Sequence, residues 1–261
     1  MTDASATVKR PAADGALPVL TGLAAVVLFF AGAELIIQLG IISRFIVPPP
    51  SEIAGSFYRI VTEENIFHRF LLTLGECLTA GVMTTVFGIL GGVLMQRYKL
   101  LQRACETWVA AWAAAPIVLA YPLFMVIFGR NAWTIIMIGF AAALPPVILK
   151  TIEGISGTRK VLVNVGRSFN LTPAQQFWKI LFPSALPTIF VGVRLGLIFA
   201  LINVVGVEFL INLGGLGQLI NDLAERYDLA GTYAAIFFVI LVSVLFFITL
   251  ERIERWLRPV D

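Results

Sequence analysis

The chain has 261 residues, of which 59% are hydrophobic and 13% charged, with a mean hydropathy of +0.91 and a net charge of +3. Soluble domains run at about 45–50% apolar and about 25% charged residues, so a soluble enzyme is excluded. The apolar runs are continuous rather than alternating, which excludes a β-barrel; the single histidine, His68, leaves no base for an intramembrane histidine-dependent protease or metalloprotease.

Residues 1–16 form a polar, alanine-rich tail. Lys9 and Arg10 precede the first apolar run, 17–42. A signal-peptide core has about 7–15 residues, so this run reads as a retained span. Pro48, Pro49 and Pro50 then fix an extended path. Ser51 reads as the N-cap of a helix over 52–63. That helix places Ile53, Phe57 and Ile60 on one face and lies at the membrane interface.

Five further apolar runs follow, at 70–95, 108–128, 132–149, 189–211 and 231–250. Each is close to the about 17–25 residues that cross a bilayer. Gly88 and Gly92, and Gly192 and Gly196, have the spacing that lets helices approach closely. Cys77 and Cys105 have no metal or redox spacing and read as apolar fillers. The third and fourth runs are joined by Gly129, Arg130 and Asn131 alone, a tight helical hairpin. Pro116 and Pro122 in the third run, and Pro145 and Pro146 in the fourth, are expected to kink or break their helices.

The longest segment between spans, 150–188, has 39 residues. That is too short for an ATP-binding domain, and the chain has no glycine-rich phosphate loop. Residues 158–169 read as a helix, which Asn170 and Leu171 interrupt. Thr172 reads as an N-cap with Pro173 in the first helical position of a second helix, 173–182, ending at Pro183. Phe169, Leu171, Phe177 and Trp178 give this helix-turn-helix an apolar surface suited to docking a soluble partner. Lys and Arg number 13 on the side of this segment and of both termini, against 5 on the other side. By the positive-inside rule both termini are cytoplasmic, and the net positive charge reflects topology rather than nucleic-acid binding. Residues 251–261 form the C-terminal cytoplasmic tail.

Four charges lie inside the apolar runs: Glu34, Glu76, Arg194 and Glu208. A charge near mid-membrane costs about 2.5–3.5 kcal/mol on insertion scales and is a functional candidate by default. Packing or snorkelling to the interface is the structural alternative for each. Glu208 and Arg194 are about 21 Å apart along one helix, so they cannot pair there. Asn203, deep in the fifth run, needs a hydrogen-bond partner.

Several stretches occur in a telling order: Val47-Pro48-Pro49-Pro50-Ser51-Glu52; Thr73-Leu74 followed by Gly88-Ile89-Leu90-Gly91; Asn164-Val165-Gly166 with Asn170, Ile180 and Phe182-Pro183; Ser184-Ala185-Leu186-Pro187 and Gly192-Val193-Arg194; and Val207-Glu208 with Gly214-Gly215-Leu216-Gly217. From about residue 45 to 257 the chain resembles the membrane permease subunits of binding-protein-dependent ABC importers, the nitrate/sulfonate/taurine group in particular. Asn164 and Asn170 stand where that family has an acidic residue and a glycine, and Gly75-Glu76 where an arginine often follows Thr-Leu.

The resemblance implies an all-α, six-span permease of the type I importer fold, with a cytoplasmic coupling-helix loop between spans 4 and 5. It implies no enzyme activity and no cofactor or metal on this chain, ATP and Mg being held by a partner ATPase. It implies a second permease copy in a homodimer, two ATPase subunits, a periplasmic or surface binding protein and the lipid of a bacterial inner membrane as partners. Gly166, Arg167, Asn170, Leu171, Thr172, Gln176 and Phe177 are the expected ATPase-coupling residues. Glu76, Arg194, Asn203 and Glu208 are the expected pathway or gate residues. The group's usual cargo is a small organic or inorganic anion such as a sulfonate, nitrate or an aromatic acid. A stand-alone ion-coupled transporter or channel is the other reading; it calls for inverted repeats or coupling-ion ligands.

Overall fold

A computed structural model describes residues 16–257, which contain helices and connections and no strand. In a bilayer every backbone polar group needs an internal partner, and continuous apolar runs supply it as helices. They are α1 (Ala16–Gln38), α2 (Pro50–Thr62), α3 (Ile66–Arg97), α4 (Lys99–Ala114), α5 (Tyr121–Phe128), α6 (Ala132–Ser156), α7 (Lys160–Ser168), α8 (Pro173–Gln176), α9 (Phe182–Ile211), α10 (Gly215–Glu225) and α11 (Leu229–Leu257). Among the described residues five helices are long and apolar enough to cross a membrane, or six if the bent α4–α5 pair is one crossing.

The centre is a layer of α3, α6 and α9, with α6 in the middle. Both glycine pairs face α6. A Cβ added at Gly88 would lie 2.7 Å from Val147, and one at Gly92 2.5 Å from Thr151. From the other side, a Cβ at Gly192 would lie 2.6 Å from Lys150, and one at Gly196 2.8 Å from Val147. Small residues thus bring the backbones together where no hydrophobic gain over lipid exists. α1 stands at the edge, touching α2 and, through Phe30 on Phe237, α11.

The third expected span, 108–128, is not one straight helix. α4 and the stretch Ile117–Phe128 meet at 89°. Pro116 has no N–H and pushes Ala115 into extended backbone (φ −77°, ψ 133°). A short 3-10 turn, Ile117–Ala120, leads into α5, and Val118 and Tyr121 pack on Ile135, Val204 and Val207. Pro145 and Pro146, by contrast, lie inside an unbroken α6. Packing from α3 and α9 on both flanks overrides the local preference there.

Two further expectations are corrected. Ser51 does not cap α2: Pro49 is the N-cap residue, and no side-chain cap is made. Instead the Ser51 N–H and O–H donate to the Glu34 carboxylate at 3.1 and 2.8 Å. The helix from Pro173 does not stop at Pro183. α8 passes through a π-helical turn, Phe177–Leu181, into α9, a continuous helix of 39 residues from Pro173 to Ile211. The Phe182 N–H donates to the Phe177 carbonyl five residues back, and this widened turn gives the Pro183 ring room. The connection 212–230 contains a helix, α10, which buries Leu216, Leu219 and Leu223 against Ile53, Ile60 and Ala234 of α2 and α11.

At its far end α11 is tied to α9 by Arg194, whose Nη1 lies 2.7 Å from the Glu254 carboxylate and whose guanidinium covers the Phe247 ring at 5.6 Å. Glu254 is 5% exposed. Arg194→Ala removes the cation opposite this buried carboxylate, an expected loss of about 3 kcal/mol; thermal unfolding in detergent measures it, and adding Glu254→Gln should recover most of the loss. Gly196→Leu, which overfills the α6–α9 contact, should lower stability by about 2 kcal/mol in the same assay.

Candidate functional site

Two places combine residues singled out by the sequence. The first is the turn between α7 and α8. Two residues past α7, Asn170 lies in the left-handed region (φ 50°) that asparagine tolerates better than most residues. The Leu171 N–H then returns to the Gly166 carbonyl at 3.1 Å. Thr172 and Gln175 form a reciprocal capping box at the start of α8, with Pro173 in the first turn. Gly166 is buried because the π-helical turn after α8 crosses it closely: an added Cβ would lie 2.5 Å from Ile180 Cδ1. Gln176 Nε2 fastens the two helices by donating to the Val163 carbonyl at 3.2 Å.

The expected coupling residues therefore divide. Gly166, Leu171, Gln176 and Phe177 shape the turn, with Phe177 turned toward Ile155, Ala185 and Ile189, edge-on to Trp178 and tilted against Phe182. Arg167, Asn170 and Thr172 are exposed, as is Phe169 at 77%. Val161, Leu162 and Val165 extend this exposed apolar face along α7, a contribution the sequence reading did not single out although the spacing is helical. The result is a rigid knob whose second helix is continuous with α9.

The second place lies at the opposite end of α9. Glu208 is fully buried. Thr73 Oγ1, 135 residues away in the chain, lies 2.7 Å from Glu208 Oε1 and 3.0 Å from Oε2. The Gly217 N–H donates to Glu208 Oε2 at 2.9 Å, and the Leu216 N–H to Thr73 Oγ1 at 2.9 Å. Gly214 and Gly215 have φ of 110° and 84°, which turn the chain back so that the N-terminus of α10 lands on this carboxylate. The Gly214 N–H donates to the Gln218 side chain. Glu76, one turn along α3 from Thr73, lies beside Glu208. A cavity of about 220 Å³ beside it is lined by Thr73, Cys77, Leu201, Val242 and Phe246.

Arg194 and Asn203 do not join this cluster. Arg194 is bound to Glu254, and Asn203 Nδ2 donates to the Phe199 carbonyl at 2.9 Å within α9. Glu34 is separate too, on Ser51 and Gln38. At the α10 end three ion pairs join neighbouring elements: Arg59–Asp228, Arg69–Asp222 and Arg226–Glu64, at 2.5, 2.9 and 2.7 Å. Asp228 holds the Arg59 guanidinium above the ordinary arginine range, chiefly through its hydrogen bond. Arg130 donates to the carbonyls of Ile211 and Asn212 and closes the C-terminus of α9. Thr73, Asp222 and Glu254 were not singled out as site residues; only Thr73 had a signal, its place in the Thr73-Leu74 stretch.

Residues 84–259 match the family model described as the binding-protein-dependent transport system inner membrane component. The chain is 25% identical over 216 residues to the formylaminopyrimidine transport permease protein of Halalkalibacterium halodurans, covering 82% of this chain and 86% of that one. It is 23% identical over 226 residues to the taurine transport system permease protein of Escherichia coli strain K12, covering 85% and 82%. Among solved structures, an inward-facing form of the MetNI methionine ABC transporter superposes with a TM-score of 0.66 at 20% identity, over 74% of this chain and 96% of that one. The all-helical architecture is accordingly that of type I ABC importer permeases. The chain belongs to the family of binding-protein-dependent transport system inner membrane components: it is a multi-pass permease subunit of an ABC importer, with ATP hydrolysis assigned to a separate subunit.

Proposed function

We propose that this permease forms one half of an inward pathway completed by a second copy of itself, and that it carries a small organic or inorganic anion such as a sulfonate, nitrate or an aromatic acid. Relatives named for taurine, aliphatic sulfonates and bicarbonate support this cargo class. The bias of Lys and Arg toward one side supports an orientation with both termini in the cytoplasm. In that orientation α7 and α8 face the cytoplasm, and a binding protein delivers solute at the α10 end. Two ATPase subunits, holding ATP and Mg, dock on the knob; this chain holds no cofactor of its own. The stand-alone ion-coupled reading is disfavoured by the family match.

One observation carries the coupling role: the exposed apolar face of α7 sits on a capped turn that runs without interruption into α9. A closing ATPase dimer that pushes such a turn moves a whole span with it. Arg167, Phe169, Asn170 and Thr172 make the contact, while Gly166, Leu171, Gln176 and Phe177 hold its shape. Glu76, Arg194, Asn203 and Glu208 act away from the docking surface, as gate or packing groups rather than as ATPase contacts.

Phe169→Asp combined with Arg167→Glu is therefore expected to abolish co-purification of the ATPase subunit while leaving the permease folded and membrane-embedded. Retained co-purification and ATP-driven uptake would sink the docking assignment. Calorimetry on the cognate binding protein, with taurine and nitrate as probes, tests the cargo class; tight binding of a cationic solute instead would overturn it.

A further inference from the structure

Glu208 is more than a buried charge made tolerable. Its carboxylate sits at the N-terminus of α10, where unpaired N–H groups and the helix dipole favour a negative group, and it takes the Gly217 N–H. From the other side it takes the Thr73 hydroxyl of α3. An added Cβ at Gly215 would overlap the carboxylate itself, so α10 is seated directly on this side chain. Three helices of distant sequence origin, α3, α9 and α10, thus meet on one carboxyl group.

Glu76 completes the arrangement. The oxygens of Glu208 receive donors from Thr73 and Gly217, and Glu76 lies beside them on α3, one turn from Thr73. One Glu76 oxygen, Oε2, is buried without a partner. Among the described residues no lysine, arginine or histidine is bound to either carboxyl. Cys77 of α3 is the other titratable group that faces Glu208. Arg69 of α3 and Asp222 of α10 are bound to each other at 2.9 Å, and α11 lines the neighbouring cavity with Val242, Leu245, Phe246 and Thr249.

The position of this junction gives it a mechanical meaning. It lies at one end of the continuous helix whose other end is the α7–α8 knob, about 53 Å away along the helix axis. At this far end the Thr73 hydroxyl and the Gly217 N–H join α3 and α10 to α9 through Glu208, in addition to the apolar packing between these helices. We propose that Glu208, gripped by Thr73 and Gly217 and backed by Glu76, is the positioning residue that makes α10 and the adjoining part of α3 move with α9 during the transport cycle. This rests on the permease reading above. Without the grip α9 cycles alone, and ATP hydrolysis no longer waits on the arrangement of the opposite end.

The test uses the whole complex of permease, ATPase subunits and binding protein in lipid nanodiscs, measuring hydrolysis of Mg-ATP with and without binding protein. Thr73→Val and Glu208→Gln are expected to raise basal hydrolysis about fivefold and to remove stimulation by binding protein. Thr73→Ser, which keeps the hydroxyl, is expected to restore the wild-type ratio. A merely structural role would lower thermal stability without moving this ratio. Wild-type basal and stimulated rates in assembled Thr73→Val and Glu208→Gln complexes overturn the proposal; if Glu208→Gln does not assemble, Thr73→Val alone decides. Failure of the wild-type chain to assemble with ATPase subunits is a separate outcome, which overturns the permease reading and this one with it.

Discussion

The close contact of α3 and α9 with α6 is the constraint on which the other features depend. Apolar side chains gain little by leaving lipid for one another, so tight association rests on shape. Gly88 and Gly92 on one side and Gly192 and Gly196 on the other let both helices reach Val147, Lys150 and Thr151 of α6. That contact holds α6 continuous through two prolines. It also aligns α9 with α3 so that Thr73 and Glu208 meet across 135 residues. Where the sandwich is missing, a single proline suffices to bend the chain, as at Pro116.

The charges follow a second rule, set by helix ends. Glu34 receives the first-turn N–H of α2, Glu208 that of α10, and Asp228 the Gly231 N–H in the first turn of α11. Arg130 closes the C-terminus of α9. In low-dielectric surroundings the unpaired N–H and C=O groups of a helix end need partners as much as a charge does. Each such pairing removes two penalties together and fixes one element against another. A carboxylate in a span is then an organiser of neighbouring helices, and a substrate contact only on further evidence.

How much of this the sequence shows follows from the range of the forces. Span number, the Gly-x-x-x-Gly faces, the Asn170 turn and the Thr172–Pro173 start are local or periodic, and they are legible. α10 was legible in part: Leu216, Leu219 and Leu223 have helical spacing, but the short run between two longer spans reads as a connection. The helix through Pro183 was hidden, because a π-helical turn depends on packing around Phe177 and Phe182 rather than on a local signal. The Glu76–Glu208 meeting was hidden as well. Each glutamate is visible singly, while their contact requires the α3–α6–α9 geometry. Arg194 reads as a pathway residue from its place inside a span; its partner, Glu254, lies in a segment that reads as a charged tail.

The departures from the family pattern acquire a physical meaning in this frame. Asn170 in place of glycine keeps the left-handed turn and leaves its amide exposed beside Phe169. Gly75-Glu76, where an arginine often follows Thr-Leu, lies on α3 beside Thr73 and Glu208. Among the described residues no lysine or arginine is bound to Glu208, so its carboxylate is held by the Thr73 hydroxyl and the Gly217 N–H, which fix α3 and α10 against α9 without an ion pair.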